Sequence, residues 1–542
     1  KVSKYNIFAL VRRPAGKNIM VGRWVYDFSI PAFGMPSKLR ARYVCKGFTQ
    51  RKYCDYVQTA CPVLRMDTYR IMEVLAVRLR LRIRAQLDIE GAFYNSKPKF
   101  DQYMEQPKGW ACKPATHVWK LLRSMPGAKD AGRNFYEDFS KFLILNCNFK
   151  QLISDRCVFI YQNNGAVCIA IIHVDDMGVF CDSKQTLKLI TTNIQKRFTI
   201  KIAENMNRYI DINSHERAPT HTHTHTHTHT KCVNRVQTHN KCSNRVSNPP
   251  ERVIALTAPH YLQKAADLLG VTRGQTQINY PDLQSSYGKF TADDCVNPGS
   301  PARKQLDKLP YREALATLAY AARACRPDIA ATVANLQRYC HNYGMRHYKR
   351  LQRLARYCLW TSDRALELSV FNNVPILVYA DADWSGCPRT FKSHAGYVVK
   401  LYGATVEWYS RKIDSITLSS AQAETEAAVQ ALRATEATRN LVAEVAIHTG
   451  SDALLSDSQT LVTVLEDNTA VINGCSKTNV ASRTRHFNVK LHYIKDMRDA
   501  GIAMLKYVNT DQQHADMFTK TQHNFPVIAE ELMTGAASAR EQ

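Results

Sequence analysis

The sequence predicts a multidomain α+β protein, on three observations. Its 542 residues are several times a typical domain of roughly 100–200 residues. Apolar runs of strand length carry carboxylates, as in Ala85–Phe93 and Ala166–Phe180. The Ala-rich, Gly-free stretch that opens at Ser420 has the composition of a helix and follows a cluster of strand-like segments.

Composition narrows the function class. Hydrophobic residues make up 45% and charged residues 22%, an ordinary globular balance that excludes wholesale disorder and collagen-like repeats. Lys and Arg number 73 against 47 Asp and Glu, a formal charge of +26. An excess of that size points to a polyanionic partner, nucleic acid ahead of a membrane surface. The 16 cysteines are scattered singly without a C-x-x-C pair, so a zinc knuckle is not expected and a reducing intracellular setting is. No apolar run reaches the roughly 20 residues of a membrane span. The opening Lys-Val-Ser-Lys has no signal-peptide character, and the missing initiator Met suggests a piece of something longer.

The elements follow in order. Lys38, Arg40, Arg42, Lys46, Arg51 and Lys52 form a basic cluster, and the two-residue spacing of Arg40 and Arg42 puts both on one face of a strand. Asp88 lies inside the apolar strand Ala85–Phe93. Ala166–Phe180 reads as a β-hairpin with Asp175 and Asp176 at its tip. Three such carboxylates repel one another unless divalent cations sit between them, and a pair of Mg²⁺ ions is the arrangement that serves in-line phosphoryl transfer. Thr220–Thr230 alternates His and Thr, the translation of a (CA)n tract, and an imperfect ten-residue duplication follows it. Residues 217–250 are therefore expected to be a disordered insertion that loops out of the fold. Arg346, Lys349, Arg350, Arg353 and Arg356 recur at three- and four-residue steps, a basic stripe along one helix.

These motifs resemble the reverse transcriptase of copia-type (pseudoviral) LTR retrotransposons. Arg40-Ala-Arg-Tyr-Val-Cys-Lys-Gly-Phe-Thr-Gln50 resembles the family's KARLVAKGFTQ, and Gln86-Leu-Asp-Ile-Glu-Gly-Ala-Phe93 its QLDVKNAF. Tyr103-Met-Glu-Gln-Pro107, Ser154–Tyr161, His173-Val-Asp-Asp176, Tyr311-Arg312 and Arg326-Pro-Asp-Ile-Ala330 follow in the family's order. The resemblance implies a right-hand polymerase (fingers, palm, thumb) in which Asp88, Asp175 and Asp176 hold two metals. It implies that Arg40, Arg42 and Lys46 meet the incoming triphosphate and that Phe93 is the steric gate. Lys349 and Arg353 would grip duplex phosphates from a thumb within 311–360.

The C-terminal third has a second set of acids. Leu377–Trp384 reads as a strand ending in carboxylates, further strands lie at 396–400 and 406–409, a helix with an N-cap serine begins at Ser420, and a strand over 460–466 ends in Asp467. That order describes an RNase H-like α/β domain. Tyr379–Trp384, Ser419–Glu424, Asp467–Ala470 and Gln513–Lys520 resemble the same family's YSDADW, SSTEAE, DNxxA and QLADxxTK. The resemblance implies Asp381, Glu424, Asp467 and Asp516 as a second metal-binding catalytic set, with Asp383, Glu426 and Asp457 as decoys and no role for His486 or His492. Expected boundaries are fingers and palm 1–216, insertion 217–250, the end of the palm and a helical thumb 251–368, the RNase H-like domain 372–525 and a tail 526–542.

The implied function is an RNA-directed DNA polymerase with ribonuclease H, using two Mg²⁺ per site with Mn²⁺ as an alternative. Its partners would be an RNA template, a DNA primer, an RNA–DNA hybrid and dNTPs. Integrase, protease and a Gag-like particle would join them in the cytoplasm, in virus-like particles, with nuclear delivery. The alternatives are a catalytically dead relic that only binds nucleic acid, and a ribonuclease with a broken polymerase. They rest on departures from the family pattern: His173 stands for Tyr, Asp130 for Gln, Gly132 for Pro and His514 for Leu. A carboxylate at Asp130 is expected to repel a triphosphate.

Overall fold

The computed structural model describes residues 2–29, 38–109, 111–217, 252–282, 290–387, 389–476, 488–520 and 524–535. The expected insertion, Arg217 excepted, lies outside them, as does His486. The chain forms two compact units. Lys1–Arg65, Leu81–Met206 and His448–Gly450 make the first; Met66–Arg80, Asn207–Ile447 and Ser451–Gln542 make the second. Among the described residues, no helix is long and apolar enough to cross a membrane.

In the first unit, β1 (Gly22–Ser29) and β2 (Lys38–Cys45) form a two-stranded antiparallel ribbon. A six-stranded sheet holds β3 (Ile83–Ile89), β4 (Val158–Asn163), β5 (Ala166–His173), β6 (Asp176–Cys181) and β7 (Ile200–Ala203), in the order β7-β3-β6-β5-β4 with Lys150–Gln151 at the far edge. One face of this sheet carries the core. Ala85, Leu87 and Ile89 of β3 and Met177, Val179 and Cys181 of β6 point at Phe135, Phe139, Phe142 and Leu143 of α1 (Ala131–Cys147) and at Leu187, Ile190 and Ile194 of α2 (Lys184–Gln195). Each fully buried side chain of this size contributes about 1.5–3 kcal/mol. Ser183 caps α2 by accepting the Thr186 N–H at 3.2 Å, and Asn148 ends α1 in the left-handed conformation that closes a helix.

The second unit contains a four-stranded antiparallel sheet, Arg208–Tyr209, Ile212–Arg217, Val253–Thr257 and Leu366–Leu368. Helices at Tyr311–Ala324, Ala330–Gln337 and α3 (Met345–Trp360) occupy the stretch expected to be helical. Its other sheet is five-stranded: β8 (Ile376–Asp383), β9 (His394–Leu401), β10 (Ala404–Lys412), β11 (Val462–Glu466) and β12 (Ala503–Tyr507), in the order β10-β9-β8-β11-β12. β8, β11 and β12 run parallel, and β9 and β10 are antiparallel. The crossover into β11 includes α4 (Ser420–Thr449), which lies close on the sheet because its contacts are small: Ala423 and Ala427 pack against Ala382 and Ala395. The mixed α and β layers are present as expected, with a strand ending near Asp381, a helix beginning at Ser420 and a strand ending beside Asp467.

Candidate active sites

The first group of acids follows from strand alternation. With Ala85, Leu87 and Ile89 turned to the core, Gln86 and Asp88 take the opposite face of β3. The same rule puts Asp176 on that face of β6, and the register pairs Asp88 directly with Asp176. Asp175 sits in the two-residue turn between β5 and β6, its carbonyl accepting the Ile89 N–H at 3.2 Å. Val174, beside it, has φ +60°, a left-handed conformation that strains a β-branched residue at the tip of the hairpin. Gln86 Nε2 donates to Asp176 Oδ1 at 3.2 Å, and Lys201 of β7 holds its Nζ 3.9 Å from Asp88 Oδ2 and 3.4 Å from Glu90. Burial raises the pKa of Asp176; the charges of Asp175 and Asp88 add to the rise, while Gln86 and His173 oppose it. His173 pairs with Asp176 in the ladder, so the imidazole stands beside the acids.

The ribbon places Arg42 opposite Val25, with its side chain exposed and near enough to Tyr94 to oppose the burial that raises the phenol's pKa. Arg40 faces Asp27 across the ribbon backbone, and its side chain is outside the described residues. Lys46 is half-buried and enters a short 3-10 turn, Gly47–Thr49. Phe93 lies on the turn Ala92–Asn95, half-buried, with its ring edge-on to Phe135 at 6.5 Å. Phe93 thus packs against the core while remaining only partly buried.

Asp130 departs from its expected role. It is 4% exposed, and its carboxylate accepts from three side-chain amides: Gln50 Nε2 at 3.1 Å, Gln102 Nε2 at 3.0 Å and Asn134 Nδ2 at 2.9 Å. A carboxylate so enclosed ties three segments together and has no free face to turn on a triphosphate. Gly132, in the first turn of α1, has nothing within 4 Å of where a Cβ would sit.

The basic stripe on α3 is largely committed to the fold. Arg350 is buried in an ion pair with Asp282, and Arg346 holds Asp294 at 2.7 Å. Arg353 Nη2 lies 3.5 Å from the Tyr280 carbonyl, while Lys349 and Arg356 are exposed. Lys349 is thus presented to solvent, and Arg353 is half-buried.

The second group is tighter. Among the described residues, Asp381, Asp467 and Asp516 bring carboxylate oxygens within 4.8 Å of one another, and so do Glu424, Glu466 and Asp467. Asp381 is near the end of the central strand β8, and Glu466 and Asp467 are at the end of the parallel strand β11. Glu424 is on the first turns of α4, capped by Ser419 rather than Ser420: Ser419 Oγ accepts the Gln422 N–H at 3.2 Å. Asp516 belongs to a 3-10 turn, His514–Phe518, anchored by Gln513 Nε2 on the Ala380 carbonyl at 2.8 Å. Gly396, opposite Asp381 in β9, lets that turn approach: a Cβ there would lie 2.8 Å from Phe518 Cβ.

Burial and mutual repulsion dominate the electrostatics. The Glu424 carboxyl is pushed up to about 11 by burial, then by Glu466, Asp381 and Asp467. Asp516 is pushed up to about 8 by burial and by Asp381, against the pull of Lys520. Lys520 Nζ stands 2.9 Å from Asp516 Oδ1 and 3.7 Å from Asp381 Oδ1, and Thr519 donates to Asp381. Among the described residues, Glu424 Oε2 and Glu466 Oε2 are buried without a hydrogen-bond partner. An all-oxygen donor set with orphaned carboxylate atoms fits a hard divalent cation.

The neighbouring acids have other occupations. Asp457 pairs with Arg78 at 3.1 Å and accepts the Tyr402 hydroxyl at 2.7 Å, and Glu426 pairs with Lys490. Asp383 is opposite His394 and packs over Gly386. His514 is a core residue, stacked on Tyr379 at 4.4 Å with Nε2 2.9 Å from Glu531. His492 is exposed. Glu466 and Lys520 were not singled out by the sequence. The available signals were the adjacent Glu466-Asp467 pair at a strand end and the four-residue step from Asp516 to Lys520.

Residues 5–248 match the family described as reverse transcriptase (RNA-dependent DNA polymerase). The retrovirus-related Pol polyprotein from transposon RE1 of Arabidopsis thaliana is 26% identical over 521 residues, covering 94% of this chain and 31% of its own length. That from transposon TNT 1-94 of Nicotiana tabacum is 26% identical over 526 residues, covering 96% and 36%. Residues 5–248 thus form a reverse transcriptase family domain, and over most of its length the chain is similar to copia-type Pol polyproteins. The chain spans about a third of the length of the curated relatives it matches. Among solved structures, a foamy viral protease-reverse transcriptase in complex with RNA/DNA hybrid aligns over 94% of this chain and 52% of its own, at TM-score 0.44 and 11% identity. LC11-RNase H1 in complex with RNA/DNA hybrid aligns over 27% and 93%, at TM-score 0.19 and 18% identity.

Proposed function

We propose that the chain is an RNA-directed DNA polymerase with a tethered ribonuclease H, built on two acid sites for divalent cations. The observation that carries the reading is the direct pairing of Asp88 with Asp176, next to Asp175, inside the reverse transcriptase family domain. Asp88, Asp175 and Asp176 would hold cations in the first site, and Asp381, Glu424, Asp467 and Asp516 in the second. Bound Mg²⁺ would supply activation of the attacking oxygen and stabilisation of the leaving group. The chain's own groups do the rest. Gln86 orients Asp176, and Lys201 offsets charge at Asp88. Arg42 presents a guanidinium toward a triphosphate, and Phe93 stands where a sugar would meet an aromatic edge. In the second site Thr519 fixes the rotamer of Asp381, and Lys520 balances part of the charge on Asp516.

The partners on this reading are an RNA template, a DNA primer, dNTPs and an RNA–DNA hybrid. Other Pol segments, integrase and protease among them, and a Gag-like particle would accompany it in the cytoplasm, with nuclear delivery. Primer extension on an RNA template with Mg²⁺ tests the first activity, and cleavage of a hybrid tests the second. Asp175→Asn/Asp176→Asn should abolish extension and spare cleavage; Asp381→Asn should do the reverse. Salt-sensitive binding of primer–template with neither activity would refute the proposal in favour of a nucleic-acid-binding relic.

A further inference from the structure

We infer that Glu466 is a fifth carboxylate ligand of the second acid site, so that this site divides into two cation positions that share Asp467. The inference rests on the ribonuclease reading above and adds a residue to it. The acids fall into two overlapping groups, Asp381 with Asp467 and Asp516, and Glu424 with Glu466 and Asp467. They are not equivalent. Lys520 places an ammonium against Asp516 and Asp381, so the first group already has an internal counter-charge. The leading charges acting on Glu424, those of Glu466, Asp381 and Asp467, are acids.

Glu466 is the least exposed of the second group, at 0%. Its Oε1 accepts the Asn468 N–H at 3.1 Å and so shapes the turn that leaves β11. Its Oε2 has no hydrogen-bond partner among the described residues, and a carboxylate oxygen of Glu466 lies within 4.8 Å of one from Glu424 and one from Asp467. A residue needed only for the turn could be a neutral amide, since the turn uses one acceptor oxygen. A second carboxylate oxygen, buried beside another buried carboxylate, is costly unless a cation joins them. Oxygen donors of this kind select a hard divalent ion.

The test counts ions and needs no turnover. The full chain carrying Asp88→Asn, Asp175→Asn and Asp176→Asn, which silence the first site, is titrated with Mn²⁺ and followed by electron paramagnetic resonance. This reference should bind two ions. Adding Glu466→Gln, which keeps the acceptor for Asn468 and removes the charge, should weaken one ion at least about tenfold and leave the other unchanged. A two-ion isotherm unchanged by Glu466→Gln but altered by Glu424→Gln would overturn the role of Glu466 and leave the ribonuclease reading standing. A reference that binds no Mn²⁺ would overturn both. Circular dichroism in EDTA checks that Glu466→Gln folds. Should it not fold, Glu466→Asp decides the matter: a ligand role predicts one weakened ion, and a role in the turn alone predicts two unweakened ones.

Discussion

Gly396 offers a direct way to disturb the second site without touching an acid. A methyl group at this position would lie 2.8 Å from Phe518 Cβ, 2.9 Å from Thr519 Cγ2 and 3.2 Å from the Ala515 carbonyl. Carbon–carbon contacts are comfortable at about 3.5–4.0 Å, so Gly396→Ala must push the 514–519 turn back by roughly 0.7–1 Å. Overpacking of this kind costs about 1–3 kcal/mol. That turn carries Asp516, and Thr519 in it donates to Asp381, so two acids move with it. Misplacement by about 1 Å is enough to lower a rate by about a hundredfold. The assay is cleavage of an RNA–DNA hybrid, with primer extension measured on the same preparation and a melting curve taken alongside. The expected result is cleavage reduced by about two orders of magnitude, extension unchanged and a slightly lower Tm. Cleavage within about threefold of the parent would refute the claim that the close approach at Gly396 positions Asp516.

Other expectations concern stability and pH. Arg326 holds the buried Asp328 with two bonds, at 2.8 and 2.7 Å, so Arg326→Met should cost about 3–5 kcal/mol in urea unfolding, and Asp328→Asn on top of it should recover part of that. Asp130→Ala removes the acceptor shared by Gln50, Gln102 and Asn134, and a loss of about 2–4 kcal/mol is expected; a neutral effect would argue against the buried network. Gly132→Ala should add about 0.5–1 kcal/mol, because nothing crowds the site and a helix favours Ala. Burial lowers the His347 pKa to about 4, while its Nδ1 accepts the Gly344 N–H at 3.1 Å. The unfolded chain therefore takes up this proton first as pH falls from about 6.5 toward 4, and stability declines across that window. His347→Phe should flatten the decline of the urea midpoint between pH 7 and pH 5. His394, also lowered by burial, keeps it from vanishing.

Much of this was legible locally. Asp88 inside the apolar run Ala85–Phe93 and the adjacent acids at the tip of the hairpin were readable as one group of carboxylates, and the face they share came from the packing. For the second set, carboxylates at strand ends followed by an Ala-rich helix were readable, and the choice of four acids came with the resemblance. What escaped was long-range. Asp130 reads as a repulsive charge until Gln50 and Gln102, distant in sequence, converge on it. The arginines of α3 read as a phosphate grip until Asp282 and Asp294 claim two of them. Glu466 is hidden by its position in a strand, where alternation makes it one more residue of β11. Only the packing of α4 across the sheet brings Glu424 to it.

The strand Ile212–Arg217 and the strand Val253–Thr257 are antiparallel neighbours, with Arg217 directly opposite Val253. The chain therefore departs from and returns to adjacent points on one ladder, and the His-Thr alternation falls entirely between them. The free energy of closing such a connection grows only with the logarithm of its length, about 0.6 kcal/mol for each doubling. Replication slippage in the underlying dinucleotide tract that kept the reading frame would thus lengthen or shorten the polypeptide at a point where folding barely registers the change. Copies differing in tract length should be near-neutral variants, whereas a single-residue insertion in β3 or β6 would turn Asp88 or Asp176 into the core.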